Sequence, residues 1–325
     1  MRAAWYERQG PAADVLQVGE LPTPEPGPGE VRVRLRLSGV NPGDTKKRSG
    51  WLGNPMAFPR IVPHSDGAGV VEAVGAGIDP ARVGRRVWVW GAQSYRPSGT
   101  AAQYTVVPAD SAVDLPDGVG DELGACLGIP GITAHRAVFG DGPVTGRVLL
   151  VHGVRGGVGS LAAQLARWAG GTVVGTVRRG TDLDRVDPAW VSHAVALDAP
   201  DAVERIRALA PDGVDRVVEV SLSDNADLDV AVLAVGGVLA AYASRHDRPA
   251  LPFWPMLFSN VTLRLLGSDD FPAEAKRQAA ADLTAAAADG ALSVPVGDLL
   301  PLDDITAAHD RVDAGATGRV LLALP

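Results

Sequence analysis

The 325-residue chain contains one cysteine, Cys126. A single thiol excludes an intramolecular disulfide and any structural zinc site built from a cysteine cluster. Its apolar flanks, Leu123 to Ile129, read as those of a buried small hydrophobe. Aromatic residues are only 5% of the chain, and no window reaches the roughly 18 consecutive apolar residues of a membrane span. The first ten residues have neither the long apolar core nor the cleavage site of a secretory leader, so a soluble cytoplasmic protein without a membrane partner is expected. Positive charge is scarce as well: 30 Lys and Arg against 38 Asp and Glu give a net charge of −8. That balance repels a phosphate backbone and, with no extended basic patch, argues against nucleic acid as a partner. The six histidines (His64, His135, His152, His193, His246, His309) stand in no metal-binding pair, and no metal is expected. No internal repeat or low-complexity segment is visible.

Turn formers and apolar residues are abundant by contrast. The 39 glycines and 25 prolines favour many turns and some β structure, and 46% hydrophobic content is enough for a sizeable core. The length exceeds one domain of about 100 to 200 residues, so two lobes are expected. The first reads as β. Val31, Val33, Leu35 and Leu37 alternate with Arg32, Arg34 and Arg36, the period of a half-buried strand whose arginines face water. Further strands are predicted at 1 to 6, 16 to 20, 68 to 74, 83 to 90 and 101 to 107. From Val148 the texture changes to strands alternating with helices, which implies a parallel sheet covered on both faces. Strands are expected at 194 to 197, 216 to 220, 238 to 241 and 262 to 266, with helices around 203 to 209, 228 to 235 and 273 to 288. A closing strand at 319 to 324 returns to the first lobe.

The stretch VLLVHGVRGGVGSLAAQLARWAG at 148 to 170 organises the second lobe. An apolar strand leads through Gly153, Gly156, Gly157 and Gly159 into an apolar pattern of helical period, and a second strand, Thr172 to Thr176, follows. Glycines let the backbone approach an anion, and a helix start offers free N–H groups, so this βαβ unit is suited to a dinucleotide pyrophosphate. Arg178 and Arg179 follow the second strand, where an NAD-specific protein would carry an acid. They point to the 2′-phosphate of NADP(H), against the alternative of a solvated loop.

Five stretches, SGVNPGDTKKRSG (38 to 50), PHSDGAGVVEAVGAG (63 to 77), GIPGITAHRAV (128 to 138), the glycine stretch, and AAHDRVDAGATGRVLLAL (307 to 324), together resemble the medium-chain dehydrogenase/reductase superfamily, in its zinc-free quinone oxidoreductase branch related to zeta-crystallin. The resemblance implies an α/β protein with a doubly wound Rossmann sheet over 125–267 and a GroES-like β-barrel catalytic domain over 1–124 and 268–325. It also implies an active site in the cleft, a homodimer commonly built by the cofactor domains, and a small-molecule quinone or carbonyl substrate. Where zinc-dependent relatives carry a cysteine and a His-Glu pair, this chain has Asn41 and Ser65-Asp66, so no zinc is expected. The branch's usual lysine and tyrosine contacts to the phosphate correspond to Asp182 and Leu197, a departure for which the arginines are the expected substitute.

Cofactor-binding residues are accordingly expected at Thr133, Gly153, Arg155, Gly156, Gly157, Val158, Gly159, Thr176, Arg178 and Arg179. Arg155 is unusual, because relatives have a small residue there; it suits the pyrophosphate, an anionic substrate, or solvent. Asn41 is expected to donate to the nicotinamide or acceptor, or to start a helix with Asp44 through backbone bonds. Trp51 stands next to the position of a tyrosine in many relatives and is a stacking wall or a surface residue. Residues 242 to 256 read as a loop over the nicotinamide end. The expected function is zinc-independent hydride transfer from NADPH to a quinone or enone. The alternatives are a pathway-specific enoyl- or enone-type reductase of secondary metabolism and a catalytically degenerate NADPH-binding sensor or scaffold.

Overall fold

The glycine- and proline-rich punctuation of the first 125 residues resolves into short elements: β1 (Arg2–Trp5), α1 (Ala12–Val15), β2 (Gln17–Glu20), β3 (Glu30–Val40), α2 (Pro42–Ser49), β4 (Asp66–Val74), β5 (Arg86–Val89), β6 (Tyr104–Pro108), β7 (Ala112–Asp114) and α3 (Asp121–Gly124). The alternating Val-Arg run builds β3, the longest strand, with Val31, Val33 and Leu35 in the core and Arg34 and Arg36 exposed. Beyond them come α4 (Ile132–Phe139), β8 (Val148–Val151), α5 (Gly157–Trp168), β9 (Thr172–Val177), β10 (His193–Ala196), α6 (Ala202–Leu209), β11 (Val214–Glu219), α7 (Leu222–Val232), β12 (Leu233–Ala241), α8 (Phe253–Phe258) and β13 (Thr262–Leu265). The chain ends with α9 (Ala273–Ala288), β14 (Val296–Pro301), α10 (Ile305–Asp313) and β15 (Arg319–Ala323).

This computed structural model describes residues 1–325 and divides into two units, Met1–Pro130 with Ala280–Pro325, and Gly131–Ala279. The divisions at 130/131 and 279/280 both fall later than the 124/125 and 267/268 read from the sequence. Ala125 and Cys126 pack with Leu37, Ala68 and Leu321, which keeps them in the first unit. The second division lies inside α9, an alanine-rich helix with no change of composition to mark it.

In the first unit β15 pairs antiparallel with β3, carrying the chain end back to the opening strands, in a seven-stranded sheet ordered β14-β15-β3-β4-β5-β7 with β6 also on β3. In the second, six strands run in the order β10-β9-β8-β11-β12-β13, all parallel. That is the 3-2-1-4-5-6 order of a Rossmann sheet, whose ligand crevice lies at the carboxyl ends of the strands where the order reverses, here between β8 and β11. Leu149, Leu150, Val151, Val173, Val174, Val217 and Val218 are fully buried, as strands covered on both faces require.

Two local expectations are corrected, and one strand had none. The helix read at 228 to 235 starts earlier, at Leu222, and stops at Val232, because Leu233 pairs with Val214 as the start of β12. The 242 to 256 segment is not all loop, since α8 begins at Phe253. β14, unmarked by periodicity, forms by parallel pairing with β15. No helix is long and apolar enough to cross a membrane.

Candidate functional site

After β8 the chain turns through His152, Gly153, Val154, Arg155 and Gly156. Gly153 adopts φ +63°, a conformation that strains any residue with a side chain. A Cβ on Gly159 would stand 2.3 Å from the Gly153 carbonyl oxygen. These glycines let the turn fold closely onto the first turn of α5, which buries Leu161, Ala162 and Leu165 against the sheet. The N-cap of α5 is Gly156, which brings no capping side chain. The leading N–H groups, those of Gly157, Val158 and Gly159, therefore have no intrahelical acceptor and stand at the positive end of the helix dipole, a ready site for an anion.

Arg178 and Arg179 follow β9 as exposed residues, and neither side chain has an ion-pair or hydrogen-bond partner. Arg155 is engaged. Its guanidinium donates to Asp182, on the 3-10 turn Gly180–Arg185, and Arg185 lies 4.0 Å from the same carboxylate. The Gly180 N–H donates to Asp198 Oδ1 at 2.9 Å and fastens the start of this loop. Thr133 is buried on α4.

A polar cluster adjoins the glycine turn. His152 follows β8, Glu219 ends β11, Asp229 lies on α7, and all three are fully buried. His152 Nδ1 is 2.8 Å from Thr176 Oγ1, and Nε2 is 2.7 Å from Asp229 Oδ1 and 3.4 Å from Glu219 Oε2. Thr176, expected to face the cofactor, thus turns its hydroxyl inward to brace His152. Burial opposes charge on the imidazole, but the two carboxylates outweigh it and raise its pKa. Burial pushes Glu219 up, reinforced by Asp229 and opposed by His152, by the Ser221 N–H and by the Asn225 amide. The potential ligand atoms of His152, Glu219 and Asp229 lie within 4.8 Å of one another. Residues 67 and 77 positions apart carry no shared spacing signal; the one local clue was a histidine set between strand and glycine turn.

In the first unit, Asn41 is the buried N-cap of α2. Its N–H donates to Asp44 Oδ2 at 2.7 Å, Nδ2 donates to Asp66 Oδ2 at 2.6 Å, and Oδ1 accepts from the Arg319 guanidinium at 2.8 Å. The Asn41–Asp44 pair starts a helix, and the amide retains one further N–H. Asp66 Oδ1 accepts the Ile129 N–H at 2.7 Å, an approach allowed by Gly128, whose Cβ would lie 2.0 Å from that oxygen. Burial pushes Asp66 up to about 7, with the Asp44 charge adding and Ile129, Asn41 and Arg319 opposing. Arg48 is buried on α2, pairing with Asp313 at 2.8 Å and donating to the Gly10 carbonyl. Trp51 lies beyond the far end of α2, 51% exposed, with Lys46 Nζ 4.4 Å over its ring. Asn41 and Asp44 are brought together with Asp66 and Arg319, a partner that sequence reading did not single out.

A second buried histidine pair lies in the same unit. His64 Nδ1 is 2.9 Å from Ser38 Oγ, itself 2.8 Å from Thr100 Oγ1, and His64 Nε2 is 2.9 Å from His309 Nε2. Burial, His309 and Arg319 hold His64 well below the usual histidine range. Burial and Arg48 lower His309 to about 3, against the pull of Asp313.

Residues 27–117 match the family model of the alcohol dehydrogenase GroES-like domain, and residues 157–283 match that of zinc-binding dehydrogenases. The quinone oxidoreductase of Pongo abelii is 31% identical over 290 residues, covering 88% of this chain and 86% of its own. A mycobacterial protein solved as a complex with NADPH has a TM-score of 0.84 at 30% identity over 99% of both chains. An NAD-dependent alcohol dehydrogenase structure has a TM-score of 0.88 at 26% identity over 100% of both. The fold is therefore the α/β combination of a GroES-like domain and a Rossmann sheet that the sequence led us to expect.

Proposed function

The chain belongs to the medium-chain dehydrogenase/reductase superfamily, with quinone oxidoreductases among its relatives, and from that footing we propose that it is an NADPH-dependent, zinc-independent oxidoreductase acting on a quinone or an α,β-unsaturated carbonyl. The observation that carries the cofactor choice is the pair of unpartnered guanidiniums, Arg178 and Arg179, where an adenosine ribose lies in a Rossmann fold. Planar forks of N–H donors suit a phosphate, whereas a carboxylate would repel it. The N–H groups at the start of α5 take the pyrophosphate.

Bound NADPH supplies the hydride; the chain supplies orientation and electrostatics. Asn41 is the acceptor-side donor, offering its remaining N–H to a developing oxyanion. Asp66 and Arg319 hold the two ends of its carboxamide, so the amide cannot flip or turn to other partners. Asp44 holds the Asn41 backbone and Trp51 bounds the acceptor. Asp66 is raised to about 7 beside Asn41, but its two oxygens are taken by the Asn41 amide and the Ile129 N–H, and solvent supplies the proton.

The donor set at this position does not fit catalytic zinc. Asn41, Ser65 and Asp66 offer an amide, a hydroxyl and a carboxylate already bonded to Asn41 and Ile129, and both nitrogens of His64 are engaged by Ser38 and His309. A guanidinium already supplies the cation beside Asn41.

The test is oxidation of NADPH followed by nicotinamide absorbance across quinones, enones and enoyl thioesters. Turnover with NADPH well above that with NADH is expected. Tight NADPH binding without turnover on any acceptor would instead favour a nucleotide sensor, a reading supported by the close enclosure of Asn41. Turnover abolished by a chelator and restored by zinc would refute the zinc-free reading.

We also propose a homodimer built through the cofactor units. β13 is an edge strand, and beside it in sequence stand Trp254 and Phe258, 64% and 75% exposed, with Leu265 at 70% on the strand itself. An unpaired apolar edge is an aggregation hazard unless another strand covers it, and a second copy offers the same edge in return. Light scattering should give twice the chain mass, and Leu265→Asp should shift it toward the monomer; a wild-type monomer would refute the dimer.

A further inference from the structure

The glycine turn and the loop after β9 are joined by one side chain, Arg155. Its guanidinium leaves the turn just before the uncapped start of α5 and reaches Asp182, five residues beyond Val177, the last residue of β9. Both side chains are largely enclosed, at 20% and 26% exposure. Asp182 also has Arg185 at 4.0 Å, while Arg178 and Arg179 on the same loop have no acidic partner. The loop's other acids are committed elsewhere or point outward: Asp187 caps the Ala189 N–H at 2.8 Å, and Asp184 is exposed. The pair therefore consists of the one arginine of the glycine turn and the one carboxylate of the loop that holds it.

We propose that Arg155 is a 2′-phosphate-binding residue held by Asp182 in the empty protein, and that exchange of this carboxylate for the phosphate sets how strongly the protein prefers NADPH over NADH. The inference rests on the NADPH reading and adds to it a residue for which that reading has no use, Asp182. The physical basis is competition for one guanidinium. A phosphate is an oxyanion like a carboxylate, carries more charge, and accepts the same forked pair of N–H donors. NADH has only a hydroxyl at that carbon and cannot displace a carboxylate from arginine. With the exchange made, Asp182 still has Arg185, so it is not left as an unpaired charge. Asp182 thus lowers NADPH affinity by competing for Arg155 and by repelling the phosphate, and it leaves NADH affinity nearly alone. Discrimination between the cofactors is then a difference between an attractive and a repulsive element on one loop.

Calorimetric titration of the full-length protein with NADPH and with NADH tests this through a double-mutant cycle. Asp182→Asn is expected to tighten NADPH about tenfold and to change NADH less than about twofold. Arg155→Gln is expected to weaken NADPH about tenfold with little effect on NADH. In the Arg155→Gln background the gain from Asp182→Asn should shrink to the repulsive part, about threefold or less. Equal gains in both backgrounds would overturn the competition, showing Asp182 to act only as a distant charge. Equal weakening of NADPH and NADH by Arg155→Gln would overturn the assignment of Arg155 to the 2′-phosphate and give it to the shared pyrophosphate. Wild-type binding of NADH but not NADPH would overturn the cofactor reading itself, unless Asp182→Asn restored NADPH binding, which would support the exchange.

Discussion

In the first unit, His64 and His309 face each other with hydroxyls and guanidiniums nearby; in the second, His152 faces Asp229 and Glu219. His64, His152 and His309 all have no exposed surface. The first two-histidine cluster is held neutral and the second is held toward its charged form, so burial by itself does not decide the state of a histidine. The charge buried alongside decides it, because an opposite charge in a low-dielectric interior offsets desolvation and a like charge adds to it. The neutral pair cross-links β3, the segment before β4, and α10. The charged cluster ties together the ends of β8, β9 and β11 and helix α7 at the reversal point of the sheet. It therefore stiffens the frame on which the glycine turn is built.

The largest expected effect separates these clusters by what remains after one partner is removed. Asp229→Asn takes away the carboxylate that holds His152, at an expected cost of about 3 kcal/mol in denaturant unfolding, because a buried pair is broken rather than replaced. His309→Leu leaves only a neutral imidazole with one lost hydrogen bond and should cost about 1 to 2 kcal/mol. Equal costs would break the comparison.

A smaller effect appears in the pH dependence. The folded state resists protonating His64 and His309, whereas the unfolded chain takes up protons near 6.5, so this contribution to stability is lost as pH falls from about 6.5 toward about 3. Asp66 acts in the opposite sense. Its folded pKa of about 7 lies above the unfolded 3.8, so its contribution is present at low pH and is lost as pH rises through about 7. The two slopes offset each other in the wild type. Asp66→Asn removes one opposing slope, so between about pH 6.5 and 4 stability should fall with falling pH more steeply than in the wild type, by about 1.4 kcal/mol per pH unit. Imidazole NMR shifts check the same comparison directly: His64 and His309 should be neutral at pH 5, where His152 is charged. A protonated His309 at pH 5 would end it.

Much of this architecture was readable locally. The period-two run at 31 to 37 specified β3 and its water-facing arginines, and the strand, glycine turn and helix at 148 to 170 specified the nucleotide-binding half of the Rossmann unit. Helix α7 was misplaced because Leu228, Val232 and Val235 fit a helical stripe, yet the pairing of Leu233 with Val214 across the sheet claims the last of them for a strand. For the site, sequence singled out Arg155 and Thr176 for the cofactor and Asn41 for the acceptor but left their protein partners open, and Thr176 spends its hydroxyl on His152.

The sequence by itself determined where most of the strands, the glycine turn and the two arginines after β9 lie, because periodicity, φ requirements and helix starts are properties of neighbouring residues. Tertiary structure alone decided that Arg155 meets Asp182, that Asn41 is held between Asp66 and Arg319, and that Thr176 serves His152. Those pairings join residues from 24 to 278 positions apart, with no spacing rule to announce them. The charge state of a buried group depends on exactly such partners, since water is absent there and the nearest charge sets the balance.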